Sequence, residues 1–123
     1  MPRLRTATPT NRTAGADVGR VTLRQVRSRC NAAGLALKLA RGADAAQALE
    51  KLSEVHQAHA DLDELMYELA GAAILSGRSV ESVAAATGIS TATLTRRVPR
   101  TMTALRGQHL VRDPQAPHGW SAA

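Results

Sequence analysis

Phenylalanine is absent from this chain, and its only aromatic residues are Tyr67 and Trp120. Sheet sandwiches and barrels fill their interiors largely with aromatic and β-branched side chains, so a chain this poor in rings points away from them. Alanine and leucine must supply most of the buried surface, which suits thin helices packed closely together. Cysteine is reduced to Cys30, which excludes an internal disulfide and fits a reducing cytosol. Because Cys30 falls on an apolar helical stripe, a buried structural thiol is expected there. No apolar run approaches membrane-spanning length and no signal-peptide core follows the basic start, so no membrane association is expected. A phosphate-cradling glycine loop is also missing. Asp61, Asp63, Glu64 and Glu68 have no nucleophile beside them and form an acidic helix face rather than a catalytic pair. His56, His59 and Asp63 offer only two imidazoles and no thiolate, which falls short of a metal site. The expectation is therefore a protein with no catalytic residues, no metal and no cofactor.

What the chain does carry is a separation of charge. Its 123 residues fit one domain with a modest core, and the formal charge of +6 is unevenly spread. Residues 1–41 hold nine cations against one acid, residues 42–77 one cation against seven acids, and residues 78–123 six arginines against two acids. Two basic ends flanking an acidic middle favour a polyanion that touches the ends. The acidic face of the middle is open to a protein partner.

Residues 1–19 contain Pro2, Pro9, Gly15 and Gly19 without any apolar period and are expected to be a flexible basic arm. Arg3, Arg5 and Arg12 could follow a DNA groove from such an arm. From Val21 the pattern changes. Leu23, Val26, Cys30, Ala33, Leu37 and Ala40 step by three and four, which places them on one helical stripe. Arg41-Gly42 stops that helix, and Asp44 with Gln47 forms a capping-box pattern for the next. A long helix over 45 to 76 follows, with a heptad-like seam of Leu52, Val55, His59, Leu62, Met66, Leu69 and Ala73. The two helices make a hairpin over 20–60. The seam is expected to pack on the first helix, on a second copy of the chain, or on both, with a homodimer through the long helix as the favoured assembly.

The segment after Ile74 is the most informative. Ser79 is placed to cap a helix over 80 to about 86, and Thr87-Gly88 is a stop, since glycine tolerates the left-handed backbone that a sharp turn needs. Ser90 then caps a second helix over 91 to 98. Val83, Ile89 and Leu94 are spaced to meet between the two, and Ala84 is small enough to let them approach. Pro99 ends or kinks the second helix, and a further short helix is expected over about 100 to 106.

The run from Ser79 to Arg96, Ser-Val-x-x-Val-Ala-x-x-x-Gly-Ile-Ser-x-x-Thr-Leu-x-Arg, resembles the DNA-binding helix-turn-helix of resolvase and invertase recombinases, of lac-repressor-type regulators and of many small bacterial regulators. With the preceding helix the likeness covers a quarter to a third of the chain. Arg97 stands where such motifs often carry an aromatic or aliphatic residue, and nothing at the N-terminus resembles a recombinase catalytic domain. The resemblance implies an all-α chain in which the long helix of the hairpin leads into a trihelical helix-turn-helix head over 61–107. The remainder, 108–123, is either a small wing built on His109 to Arg112 or a tail with Trp120 resting on the core.

In such a head the start of the recognition helix enters the major groove, while capping groups and flanking cations take phosphates. By position, Thr91, Ala92 and Thr95 face base edges, and Ser90, Thr93 and Arg78 suit phosphates. Arg96 suits a guanine or a phosphate, and Arg97 and Arg100 suit the backbone. The function expected is a cytoplasmic, nucleoid-associated double-stranded DNA-binding protein, a dimeric transcriptional regulator of repressor type. Two other readings stand beside it: a plasmid or phage partition or accessory protein coating repeated sites, and a helical adaptor that binds protein rather than DNA.

Overall fold

The computed structural model describes residues 5–123, and the Arg3 part of the expected basic arm lies outside them. The described residues are mainly α-helical: α1 (Pro9–Leu39), α2 (Ala45–Leu75), α3 (Val80–Thr87), α4 (Thr91–Arg97) and α5 (Arg100–Thr103) are followed by β1 (Leu110–Arg112) and β2 (Trp120–Ala122). α1 and α2 lie against each other as a hairpin, and the shorter elements pack around its open end. Among the described residues no helix is long and apolar enough to cross a membrane.

The flexible arm expected over residues 1–19 is corrected from Pro9 onward, where α1 already begins. Thr8 caps it: its side chain accepts the Asn11 backbone N–H while the Asn11 side chain accepts the Thr8 N–H, a reciprocal pair that satisfies two orphan donors. Pro9 sits at the first helical position, where its missing N–H costs nothing. Asn11 is fully buried and satisfied. Its Nδ2 donates to the Gln108 carbonyl at 2.8 Å and its Oδ1 accepts the Gly107 N–H at 2.7 Å, so the start of α1 is pinned to the turn before β1.

Gly15 marks neither a loop nor a hinge. It is a close approach of the two long helices, where a Cβ would overlap the Ser76 hydroxyl and stand 2.7 Å from the Ala72 carbonyl oxygen. The hydroxyl can rotate aside, but the backbone carbonyl cannot. α2 runs from the expected capping box, with the Gln47 N–H donating to Asp44 at 2.9 Å, to Ser76 as its C-cap. Its carboxyl-terminal end is held by Arg106, whose guanidinium donates to the carbonyls of Ile74 at 3.0 Å and Arg78 at 2.9 Å. The Ile74 carbonyl is one of the last four of α2, which a helix end leaves without i+4 partners, and the Arg78 carbonyl belongs to the turn that follows.

Two clusters form the interior, both on the second half of α2. Ala14, Val18, Ala72, Leu75, Met102, Leu110 and Trp120 join α1 to α5 and the strands. Tyr67, Ala70, Ile74, Val83, Leu94 and Val98 join α2 to α3 and α4. At 108–123 the strands pair antiparallel, Leu110 with Ala122 and Arg112 with Trp120, and Trp120 is buried against the α1 side of the first cluster. The wing and the resting tryptophan are thus one feature. Its Nε1 donates to Asp17 at 3.2 Å, and Arg112 stacks over the Trp120 ring and pairs with the same carboxylate, so Arg112 is engaged with the molecule's own body.

The distal half of the hairpin has no third layer. Cys30, expected to be buried, is exposed for that reason: its stripe is apolar, but no element among the described residues covers it. Gly34 lies in the same open stretch, with nothing near the position a Cβ would take. Glycine costs a helix interior roughly 1 kcal/mol relative to alanine, so Gly34→Ala should raise stability in urea unfolding. Gly15→Ala should lower it by about 1–3 kcal/mol, as overpacked sites do. Equal effects at the two positions would contradict the close approach at Gly15.

Candidate nucleic-acid interface

α3 is capped by Ser79, whose hydroxyl accepts the Ser82 N–H at 3.1 Å, and it ends at Gly88 with φ of 75°. A residue with a Cβ is strained at that angle, which is why the turn takes glycine. Thr87 tightens the same turn: its hydroxyl donates to the Val83 carbonyl at 2.8 Å and accepts the Ile89 N–H at 3.2 Å. Two residues later Ser90 caps α4 by accepting the Thr93 N–H at 3.2 Å. Val83 and Leu94 are buried between the two helices with Ile89 and Ala84 packed beside them, as the spacing predicted.

α4 has seven residues and is therefore about 10 Å long. Leu94 is its single buried residue, at 0% exposure. Ala92, Thr95 and Arg96 are exposed, and Thr91 and Thr93 are half-buried at the edges. The hydroxyls divide into two groups. Ser90 donates to Thr93 Oγ1 at 2.9 Å and Thr95 donates to the Thr91 carbonyl at 2.8 Å, so each spends its only O–H on the helix and can offer an outside partner only lone pairs. Thr91 and Thr93 keep their O–H groups free of donor bonds among the described residues. Those two are the better donors to a phosphate or a base acceptor.

The cations divide as well. Arg96 and Arg100 are exposed and form no ion pair among the described residues. Arg78 is exposed on the turn before α3 and donates from Nε to the Ser82 hydroxyl at 3.0 Å, which leaves its terminal nitrogens outward. Arg97 does not belong with them. Expected as a backbone contact, it is turned inward onto α2: its Nη1 lies 3.1 Å from Asp63, its Nη2 3.2 Å from Glu64, and its guanidinium 4.3 Å from the centre of the Tyr67 ring. Partial desolvation pulls its pKa down, but Tyr67, Asp63 and Glu64 outweigh that, and the net direction is up. The reason is geometric. On α2, residues 63, 64 and 67 share a flank one turn long, and the last turn of α4 ends over it. A planar guanidinium can stack on a ring and fork to two carboxylates at once, which lets an arginine close the last turn of α4 onto α2.

Comparison with known protein families, with characterised proteins and with solved structures returns no match. The site has to be judged on its own geometry.

Two side chains that hold the site in place were not singled out in the sequence, Tyr67 and Arg106. Tyr67 carried a signal, since Asp63, Glu64 and Tyr67 at one-turn spacing make a ready seat for a cation. Arg106 carried none, because its partners are backbone carbonyls, which any residue type supplies. If Arg97 anchors α4, Arg97→Ala should speed amide hydrogen exchange at Leu94 to Val98 while leaving exchange in α1 unchanged. Unaltered protection in α4 would contradict the anchor.

Proposed function

We propose that this chain is a non-catalytic, sequence-selective double-stranded DNA-binding protein, a transcriptional regulator of repressor type, in which α3 and α4 act as a helix-turn-helix and α4 enters the major groove. The observation that carries this reading is the outer face of α4. A short, serine-capped helix held by one buried leucine presents Ala92, Thr95 and Arg96 outward, with Thr91 and Thr93 beside them. Among the described residues no other element packs on that face. Alanine and threonine offer methyl groups to thymine, and Arg96 can fork to guanine O6 and N7. Arg78 and Arg100, one before α3 and one after α4, suit phosphates on either side.

The chemistry of the face also limits it. Few of its side chains discriminate strongly among bases, so affinity leans on charge and should fall steeply with salt. The division of the arginines makes a specific expectation. In fluorescence-anisotropy titrations against a duplex recovered by selection from genomic fragments, Arg78→Gln and Arg100→Gln should each reduce the slope of log affinity against log salt by about 1. Arg97→Gln should leave that slope unchanged, because its charge already faces Asp63 and Glu64. A chain that recovers no duplex, or three variants that share the wild-type slope, would overturn the proposed placement.

A further inference from the structure

The α1–α2 hairpin has two unlike faces. On one, Gln25, Ser28, Arg29, Asp61, Glu64 and Leu65 line a polar groove, bridged by an Arg29–Asp61 pair at 3.5 Å. On the other, Leu23 and Val26 of α1 and His59, Leu62, Met66 and Leu69 of α2 line an apolar groove of about 300 Å³. The heptad spacing carries the same stripe outward to Leu37 on α1 and Leu52 on α2. Leu23, Leu37 and Leu52 are each 54% exposed. Helices this long are stabilised chiefly by packing an apolar face, and here that face is bare along the half of the hairpin that has no other support.

We infer that this face is covered by a second copy of the chain, the two hairpins closing into a four-helix bundle with α1 of each against α2 of the other. Size supports a stable pairing. From Leu52 to Leu69 the stripe runs roughly 26 Å, and two helices side by side are roughly 20 Å across. That is a footprint on the order of 500 Å² per copy, about 1,000 Å² in total, the size at which specific interfaces begin. The outlying leucine tip adds to it.

Charge selects the pairing. The flank of α1 that borders Leu23 carries Arg20, Arg24 and Arg27, whereas Asp63 lies at the edge of the apolar groove on α2. Over their lengths α1 holds six cations and one acid, and α2 six acids and one cation. Facing α1 with its own copy would set the arginine rows against each other. Facing it with the partner's α2 avoids that and brings opposite signs together. The two-fold axis that pairs unlike helices in this way runs along the bundle. It therefore carries both α3–α4 units to the same end. The inference does not depend on DNA binding, since the face is distinct from the outer surface of α4.

The test uses the full chain without DNA. Light scattering at micromolar concentration should give twice the 13.0 kDa chain mass, and alkylation of Cys30, which lies on the covered stripe, should slow as concentration rises. Leu23→Glu with Met66→Glu replaces two exposed side chains, and should give a folded monomer with unchanged helical circular dichroism and fast alkylation at all concentrations. Arg20→Gln with Arg27→Gln should weaken the dimer several-fold. A wild-type monomer at these concentrations, a dimer indifferent to the glutamates, or a dimer tightened by loss of the arginines would overturn the inference.

Discussion

The constraint from which the rest follows is the contact of α1 with α2 at Gly15. A chain without phenylalanine and with one buried tyrosine and one buried tryptophan has little bulk to fill space between helices, so its helices must come close enough for alanine-sized residues to touch. Ala14 and Gly15 on α1 and Ala72 and Ser76 on α2 meet in that way. Gly71 repeats the device on the other side of α2, where a Cβ would press on Met102 Sδ at 3.0 Å and Val98 Cγ1 at 3.2 Å. One turn of α2 thus serves as the floor for α1, α4 and α5 together. The short helices have no other common support.

This arrangement makes α2 the element that couples the hairpin to the outward face of α4. Its end is clamped by Arg106, and its flank receives Arg97 through two carboxylates and a ring. Exposed ion pairs contribute little individually. What these contribute is direction: they fix how α4 lies over α2, so that whatever orients α2 orients α4. If two copies pair through the apolar groove, Asp63 lies at its edge as well as under Arg97, and assembly and the attitude of α4 become linked.

How much of this was legible in the sequence depended on the size of the signal. The long helix, its capping box, the two serine caps, the Gly88 turn and the Val83, Ile89 and Leu94 meeting could be read because each rests on a local rule with few alternatives. The start of α1 is not legible from apolar periodicity, because large apolar residues do not mark its buried face. The buried positions there are Asn11, Ala14, Gly15, Val18 and Thr22, small or polar yet spaced as a helix face. Thr8-Pro9 followed by Asn11 was the cue available, a cap, a first-turn proline and a reciprocal partner. Cys30 shows the opposite error. Its stripe is real, but apolar periodicity states which face seeks a partner and not whether the chain itself provides one. Arg97, expected at a phosphate, lies against Asp63 and Glu64, because a basic last turn suits both a phosphate and a neighbouring carboxylate and only the fold decides which is nearer.

The central claim is that the outer face of α4 is where a duplex lies. Amide chemical shifts followed by nuclear magnetic resonance, during titration with a duplex selected from genomic fragments, test it most directly. The account predicts that the largest changes cluster at Ser90 to Arg96 and beside Arg78 and Arg100, with the polar groove around Arg29 and Asp61 undisturbed. Changes confined to the hairpin, with α4 silent at saturation, would contradict it.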